Sequence, residues 1–221
     1  MNLYSPLMLL VCRRRSPFPS THAHTTIMLS NLSTQPRGIT STSDVSDPSS
    51  IILAGRFELF PQRLFTVGRL DKDSTGLILL TSDGRVNNAL LDPRTKKKKR
   101  YEVTLDKRPS DAHIQTWRDG IVITTPVQRE SGRSRDVTAR TLPCDVRRLR
   151  PNDMAGTCVE FCLTEGRNRQ IRRMCEALGY HVLGLHRTHF AGIDLKGLGA
   201  NEWLELNDAE MKVVVDAMGL M

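Results

Sequence analysis

From Leu64 onward the chain alternates short apolar segments of strand length with short helix-like segments, and it contains no internal repeat. The clearest strand is Leu77–Thr81, an apolar run of strand length that predicts burial within a sheet. Thr157–Leu163 alternates apolar and polar residues, as a strand with one buried face does. Helices are predicted with caps at Ser110 and Asn168, and a final helix with a capping-box-like start at Asn207 and Glu210. Tyr180–Leu185 and His189–Leu195 are predicted as two further strands. This succession predicts an α+β fold with a mixed, mostly antiparallel sheet and short flanking helices.

Composition narrows the class of protein further. The 221 residues are 39% hydrophobic and 25% charged, which suits one or two globular domains and excludes a disordered or collagen-like chain. No apolar run approaches the roughly 18 residues of a membrane span, so no membrane partner is expected. The five cysteines are an odd number and do not form a disulfide framework.

Metal and dinucleotide sites fit the sequence poorly. Cys158 and Cys162 lie on one predicted strand, about 13 Å apart, which is too far for two ligands of one zinc ion. His186–His189 lies at a basic strand end without a companion cysteine pair or carboxylate cluster. Gly197–Gly199 lacks the third glycine and the following helix of a dinucleotide-binding loop. We therefore expect no metal and no cofactor.

The positive charge of the chain is clustered. Lys and Arg number 32 against 24 Asp and Glu, giving a net charge of +8 and a sequence pI of about 9.6. Three segments together carry +13, so the rest of the chain carries −5: Arg94–Arg108, Arg129–Arg150 and Glu165–Arg173. Clustered basic segments favour a binding face for a polyanion, although Lys96–Lys99 taken alone can also be a solvated loop. The aromatic content of 5% argues against stacking on many bases as the main binding mode.

The N-terminal segment differs from the rest in composition. The first 43 residues contain no Asp or Glu and include Arg13–Arg15 with many Ser and Thr. This composition is typical of an organellar transit peptide, and disorder without targeting is the alternative. We predict a segment of residues 1–26 of this kind, followed by one folded domain over residues 27–221. The expected location is a plastid or mitochondrion, or otherwise the cytoplasm.

Two polar segments could carry chemistry. Gly68–Leu77 places Asp71 at a strand-to-loop junction, with Arg69 two residues before it. Glu165–Met174 places four arginines around a predicted helix start. A helix start with guanidinium groups suits phosphates, or a carboxylate that an arginine keeps ionised. From the residues alone, Asp71 can equally be a loop or capping aspartate, and the arginines can be a solvated helix face.

In this order, the two segments resemble the motifs of the RsuA-type ribosomal RNA pseudouridine synthases. Gly68–Gly84 matches the family's Gly-Arg-Leu-Asp segment nearly throughout, Lys99–Tyr101 matches its Lys-x-Tyr, and Glu165–Met174 matches its arginine-rich segment. The resemblance covers roughly Ile27 to Glu210 and implies the pseudouridine synthase fold with a central active-site cleft. It also implies a single-domain member, since the stretch before Ile27 is too short for the S4-like domain of many relatives.

The resemblance implies a role for each matching residue. Asp71 matches the catalytic aspartate, Tyr101 the tyrosine that stacks on the target base and assists proton transfer, and Arg172 the basic residue that pairs with the aspartate. A guanidinium beside a carboxylate lowers its pKa, which keeps a nucleophile ionised. The base of a flipped uridine is detached, rotated and rejoined through carbon, without metal or cofactor. Contacts with RNA are expected from Arg69, Lys99, Arg100, Arg167, Arg169, Gln170 and Arg173.

The sequence departs from the family pattern at two places. Gln35–Gly38 stands where relatives have Lys-Pro-x-Gly, and Thr66 stands where proline is common. The resulting prediction is a monomeric synthase acting on a uridine in ribosomal RNA. The alternatives are a transfer-RNA pseudouridine synthase and a non-catalytic RNA-binding protein of ribosome assembly. An unrelated anion-binding domain would instead leave Asp71 and Arg172 far apart.

Overall fold

The computed structural model of the protein describes residues 30–32, 39–41, 51–52, 64–128, 134–149, 156–195 and 203–219. The strands are β1 (Ser30–Leu32), β2 (Ile39–Thr40), β3 (Ile51–Ile52), β4 (Phe65–Val67), β5 (Thr75–Gly76), β6 (Ile78–Thr81), β7 (Lys99–Leu105), β8 (Val122–Gln128), β9 (Ser134–Arg140), β10 (Asp145–Arg148), β11 (Cys158–Leu163), β12 (Val182–Phe190), β13 (Ile193–Asp194) and β14 (Trp203–Glu205). The helices are α1 (Gly84–Leu91), α2 (Asp111–Asp119), α3 (Gln170–Glu176) and α4 (Asp208–Met218), with a short 3-10 helix at Pro93–Thr95.

The main sheet has the strand order β10-β11-β7-β12-β13, and these neighbours are antiparallel. β5 adds to β12 in parallel, which makes the sheet mixed. In β11 the residues Val159, Phe161 and Leu163 are buried in the larger core, while Glu160 faces the other side. The alternation in Thr157–Leu163 therefore predicted this strand correctly.

A second sheet has the antiparallel order β14-β1-β6-β4. All four residues of β6 are buried, as the apolar run at Leu77–Thr81 predicts. Only Leu77 separates β5 in the main sheet from β6 in the second sheet. The chain therefore crosses from one sheet to the other directly after the segment that carries Asp71.

Capping residues set where the helices begin. The side chain of Asp83 accepts from the amide of Arg85 at the start of α1, and Ser110 accepts from His113 at the start of α2. Trp117 of α2 is fully buried, and its indole N–H donates to the carbonyl of Met174 in α3 at 2.9 Å. This bond fixes α3, which carries the arginine-rich segment, against the larger core.

Some local predictions are wrong. Asn168 does not cap α3, because Arg169 occupies the N-cap with a left-handed φ of 50° and no side-chain cap bond. The strands predicted over Tyr180–Leu185 and His189–Leu195 have different limits in the structure. β12 runs without a break from Val182 to Phe190, with two register irregularities against β7, and Ile193–Asp194 form the separate strand β13. The predictions for residues 1–26 and for Gln35–Gly38 lie outside the described residues. In the described part of the chain, no helix has the length and hydropathy of a membrane span.

Candidate active site

Asp71 lies in the loop between β4 and β5. The loop begins at Gly68, whose φ of +71° is a left-handed conformation that glycine adopts without strain. The amide of Leu70 donates to the hydroxyl of Ser41 at 3.1 Å, and the carbonyl of Asp71 accepts from the amide of Ser74 at 2.9 Å. The backbone of the loop is therefore held on both sides of Asp71, whose side chain is 30% exposed.

Two arginines of the α3 region converge on this loop. Arg169 donates to both carboxylate oxygens of Asp73 at 2.9 Å, and its Nη1 lies 4.0 Å from Oδ2 of Asp71. Arg172 donates through Nη2 to the carbonyl of Asp73 at 2.9 Å, and its Nε lies 3.4 Å from the Asp73 carboxylate. Segments almost 100 residues apart in sequence thus form one charged cluster.

The pairing within the cluster differs in detail from the one that the family resemblance implies. Arg172 is expected to pair with Asp71, and the structure places it against the neighbouring Asp73, while an ion pair at Asp71 is made by Arg169. The hydrogen bond from Arg169 is the main reason that the pKa of Asp73 lies below its ordinary value, and the charge of Arg172 adds to it. Asp73 is thus a residue that orders the arginines beside Asp71, a role not assigned from the sequence.

Tyr101 lies in β7, opposite Phe161 of β11 and Arg187 of β12. It is partly buried against the larger core. Arg187 also pairs with Gly76 of β5, so Gly76 and Tyr101 are two strands apart, at a spacing of about 10 Å. A Cβ on Gly76 would lie 2.3 Å from the carbonyl oxygen of Arg187, so only glycine permits this close approach. The approach brings the end of the Asp71 loop towards the strand of Tyr101.

Two of the expected RNA-contacting residues form bonds within the protein. Gln170 is 4% exposed, and its amide donates to Glu165 at 2.7 Å and accepts from the backbone amide of Arg167 at 3.0 Å. The guanidinium of Arg167 donates to Glu165 and to the carbonyls of Ala139 and Arg140 in β9. Both side chains position the start of α3, and their contacts with RNA stay predictions.

The remaining expected contacts lie in different places. Arg69 is exposed next to Asp71, and Arg173 donates to the carbonyl of Thr124 in β8 at 2.8 Å.

Arg100 points to the face of the main sheet opposite Tyr101 and lies 3.8 Å from Glu160. On that face it helps to line a cavity of about 470 Å³, formed by Lys98, Arg100, Arg118, Asp145, Val146, Arg147, Glu160 and Cys162. The cavity is thus separated from Asp71 and Tyr101 by the sheet.

Lys99 is half-buried on the same face as Tyr101, two residues earlier in β7. Its ammonium lies 5.7 Å from the centre of the Phe190 ring. Burial lowers the pKa of Lys99, the positive charge of Arg187 lowers it further, and Glu165 opposes both effects.

Asp73 and Arg187 are the two residues of this region that sequence reasoning missed. Asp73 stood inside the matched Gly68–Gly84 motif, whereas Arg187 stood in a segment considered only for metal binding.

Cysteine chemistry does not suit this part of the protein. Burial raises the pKa values of the Cys144 and Cys175 thiols to about 12, so both are protonated at neutral pH. Among the described residues, no group of three His, Cys, Asp or Glu side chains could hold a metal ion. The arrangement instead offers a partly exposed carboxylate, neighbouring guanidinium groups and a tyrosine ring.

Comparison with known proteins identifies this arrangement. Residues 34–177 match the family model described as RNA pseudouridylate synthase. The chain belongs to this family. Asp71, Tyr101 and Arg172 all lie within the matched residues, and the family predicted from the motifs is confirmed.

Two relatives that are named as pseudouridine synthases match the chain at 35% and 37% identity. The chain is 35% identical over 177 residues to the dual-specificity RNA pseudouridine synthase RluF of Salmonella typhi, covering 80% of this chain and 54% of that protein. It is 37% identical over 175 residues to the ribosomal large subunit pseudouridine synthase E of Xanthomonas campestris, covering 76% of this chain and 90% of that protein. The chain thus spans about half the length of RluF and most of the second relative.

Solved structures agree on the fold. A crystal structure of a pseudouridylate synthase superposes with a TM-score of 0.69 at 26% sequence identity, covering 86% of this chain and 74% of that one. A chain of a Cbf5-Nop10-Gar1 complex gives a TM-score of 0.50 at 21% identity, which shows the fold alone. The predicted α+β class with a mostly antiparallel sheet is therefore confirmed.

Proposed function

We propose that the protein is an RNA pseudouridine synthase that isomerises a uridine in ribosomal RNA. The observation that carries the proposal is the convergence of Arg169 and Arg172 on the loop of Asp71, next to the strand of Tyr101, in a chain of this family. The family match over residues 34–177 argues against an unrelated anion-binding domain.

The geometry supports a mechanism in which Asp71 acts on a flipped uridine. The C1′ atom of a stacked uridine is out of reach, so the nucleotide must leave the helix to enter the site. Arg169 lies 4.0 Å from the Asp71 carboxylate and places a positive charge beside the group that acts on the uridine. The N1–C1′ bond breaks, the base rotates on Tyr101, and a C5–C1′ bond forms. The proton on C5 is lost and N1 gains one, so uridine and pseudouridine have the same atoms.

Ribosomal RNA is the substrate class that the relatives favour. One relative is named for the large ribosomal subunit, and Bacillus subtilis has another with that name, 32% identical to this chain over 178 residues. We infer that large-subunit ribosomal RNA is the substrate to test first. Mapping pseudouridines in total RNA with and without this gene product would identify the modified position.

The test of catalysis is Asp71→Asn, which keeps the side-chain shape and removes the charge. We expect the variant to bind an unmodified ribosomal RNA transcript within about twofold of wild type and to form no pseudouridine, as read by carbodiimide mapping. Asp136→Asn, an exposed aspartate of the β8–β9 hairpin, serves as the matched control and should retain full turnover. Turnover by Asp71→Asn at the wild-type rate would refute the assignment of Asp71.

The same assay separates the two alternative functions. Transfer-RNA transcripts are assayed in parallel, and modification of these alone would replace ribosomal RNA as the substrate. Binding without turnover on every RNA by the wild-type protein would instead indicate a non-catalytic assembly protein.

We also propose a location and an oligomeric state. The acid-free composition of the first 43 residues supports delivery to a plastid or mitochondrion. A reporter fused to residues 1–43 should enter one of these organelles, and a purely cytosolic signal would contradict the proposal. We also propose that the protein is a monomer, which sedimentation of the purified protein would test.

A further inference from the structure

Arg187 is a buried cation at the junction of the two sheets. Its side chain belongs to β12, and the residue is 2% exposed. Its Nε donates to the carbonyl of Leu77 at 2.8 Å, and its guanidinium carbon lies 5.1 Å from the centre of the Phe190 ring. Its Nη2 is buried and has no hydrogen-bond partner among the described residues. The guanidinium thus holds the end of the Asp71 loop while retaining an unused donor.

Such a group is costly to bury. A charge in an apolar environment is destabilising unless it is paired and fully hydrogen-bonded. The described contacts of Arg187 are one carbonyl and one aromatic ring, and they include no carboxylate. Arg167 differs from Arg187, because its guanidinium makes three hydrogen bonds within the protein, including one to Glu165.

Lys99 adds a second positive charge near Arg187, since both side chains lie near the Phe190 ring. Phe190 lies between the two cations, 5.7 Å from the Lys99 ammonium. The nearby carboxylate, Glu165, is already bonded by Arg167, Gln170 and the amide of Leu142. The lowered pKa of Lys99, caused by burial and then by Arg187, agrees with a positive potential here.

These two cations flank Tyr101 in the sheet. Lys99 precedes Tyr101 by two residues on the same face of β7, roughly 7 Å away along the strand. Arg187 lies directly opposite Tyr101 on β12, at the roughly 5 Å separation of paired side chains. A base stacked on the Tyr101 ring would therefore lie close to both cations.

We propose that Lys99 and Arg187 form a cationic floor that stabilises the negative charge on the uracil ring while it is detached from the ribose. The inference rests on the proposed function and on Tyr101 as the stacking residue. Charges act strongly over several ångströms in a poorly solvated interior, so Arg187 needs no direct contact with the base. The two residues would then act by preorganised electrostatic stabilisation.

The reaction requires such a charge to be stabilised. When the N1–C1′ bond breaks, its electron pair stays on the base and spreads over N1 and the two carbonyl oxygens. The C5–C1′ bond then forms, the C5 proton is released, and N1 takes up a proton. The negative charge exists only between the first and last of these steps, so the cationic floor should favour the reacting state over bound uridine.

The test compares Arg187→Met, which removes the charge, with Arg187→Lys, which keeps it. Arg147→Met removes an arginine from the opposite face of the same sheet and is the matched control. Each variant is measured for the affinity of a ribosomal RNA transcript, for thermal unfolding and for single-turnover isomerisation at saturating enzyme. We expect Arg187→Met to be slower by roughly 100-fold, with affinity and melting close to wild type, while Arg187→Lys recovers part of the rate.

Chemical rescue keeps the test informative if Arg187→Met folds poorly. In that case, Arg187→Ala is assayed with millimolar guanidinium, which should raise its rate and leave Arg147→Met unchanged. Equal rates for wild type and Arg187→Met would overturn the inference, as would equal losses for the Met and Lys variants without rescue. The absence of turnover in wild type would overturn the proposed function itself, so the two failures are distinguishable.

Discussion

The two faces of the main sheet hold their cations in opposite ways. On the face away from Tyr101, Glu160 accepts hydrogen bonds from Arg147 at 2.8 and 3.2 Å and lies 3.8 Å from Arg100. On the face of Tyr101, Lys99 and Arg187 both lie near the Phe190 ring, and Nη2 of Arg187 is buried with no hydrogen-bond partner in the described part of the chain. Neighbouring residues of one strand, Lys99 and Arg100, thus fall into different electrostatic environments.

Under the proposed function, the difference between the two faces marks the face where an anionic ligand would bind. Exposed pairs such as Arg147 with Glu160 are neutralised by the protein and contribute little to stability. Cations left without a carboxylate in a buried position raise the local positive potential, which an anionic ligand or intermediate can use. The sheet therefore separates an outer face, where Glu160 pairs with Arg147 and Arg100, from the face of Tyr101, where Lys99 and Arg187 lie without a paired carboxylate among the described residues. Each prediction below tests that separation.

The largest expected effect comes from adjacent residues of β11 that point to opposite faces. Phe161 is fully buried, 5.3 Å from the Trp117 ring centre, so Phe161→Ala should lower the free energy of unfolding by about 3–5 kcal/mol. Glu160→Gln, on the outer face, should change it far less. Urea denaturation of both variants checks the prediction, and equal losses would show that the outer face is also part of the stabilising structure.

Asp73 is the exception on the reactive face, because it pairs with two cations there. Asp73→Asn removes the charge that holds Arg169 and Arg172, so we expect isomerisation to slow by about 10- to 100-fold through misplacement of these groups. The matched control is Asp92→Asn, since Asp92 holds Arg94 by the same type of contact at an exposed turn. The rate of each variant is measured as the release of tritium from C5-labelled uridine in RNA. Equal rates for Asp73→Asn and Asp92→Asn would show that Asp73 does not contribute to the site.

RNA affinity should distinguish the two faces more finely. Arg169→Gln removes a cation beside Asp71 and should weaken RNA binding while reducing the slope of log affinity against log salt by about one. Arg147→Gln removes a cation from the outer face, on the other side of the sheet from Tyr101, and should leave the slope unchanged. Filter binding of one transcript over a range of salt concentrations measures both slopes. A larger change for Arg147→Gln would mean that RNA lies on the outer face.

Short-range signals account for the parts of the fold that the sequence predicts. The caps at Ser110 and at Asn207 with Glu210, and the buried strand at Leu77–Thr81, depend on residues a few positions apart. The limits of β12 depend on pairing with β7, which lies about 80 residues away in the chain. Arg169 at the start of α3 adopts a left-handed conformation and binds Asp73, a contact across almost 100 residues. Such positions are set by tertiary contacts that local patterns do not contain.

The candidate site shows the same division. Matching motifs predicted that Asp71, Tyr101 and Arg172 belong together, and the structure brings the segments that carry them to one place. Motifs do not indicate which arginine pairs with which aspartate, because that depends on side-chain geometry across the loop and α3. Arg187 could not be found by charge patterning, since its burial and its unused donor appear only once β5, β7 and β12 are paired.

The smallest expected effect is at His186. This residue precedes Arg187 in β12, and its side chain points to the outer face of the main sheet. Its Nδ1 lies 2.8 Å from the hydroxyl of Thr75, and burial lowers its pKa below the ordinary 6.5, against a weaker opposing effect of Glu102. Below pH 6.5 the unfolded chain therefore binds more protons at this site than the folded protein does.

Stability should consequently be full above pH 6.5 and fall as the pH decreases through that value towards the folded pKa. Urea denaturation at several pH values between about 5 and 8 measures this slope. His186→Gln should flatten it, and His181→Gln, which changes an exposed histidine, should leave it as in wild type. If wild type and His186→Gln show the same dependence of stability on pH, the folded protein does not disfavour protonation of His186. The outer face at β5 is then as well solvated as an ordinary sheet surface.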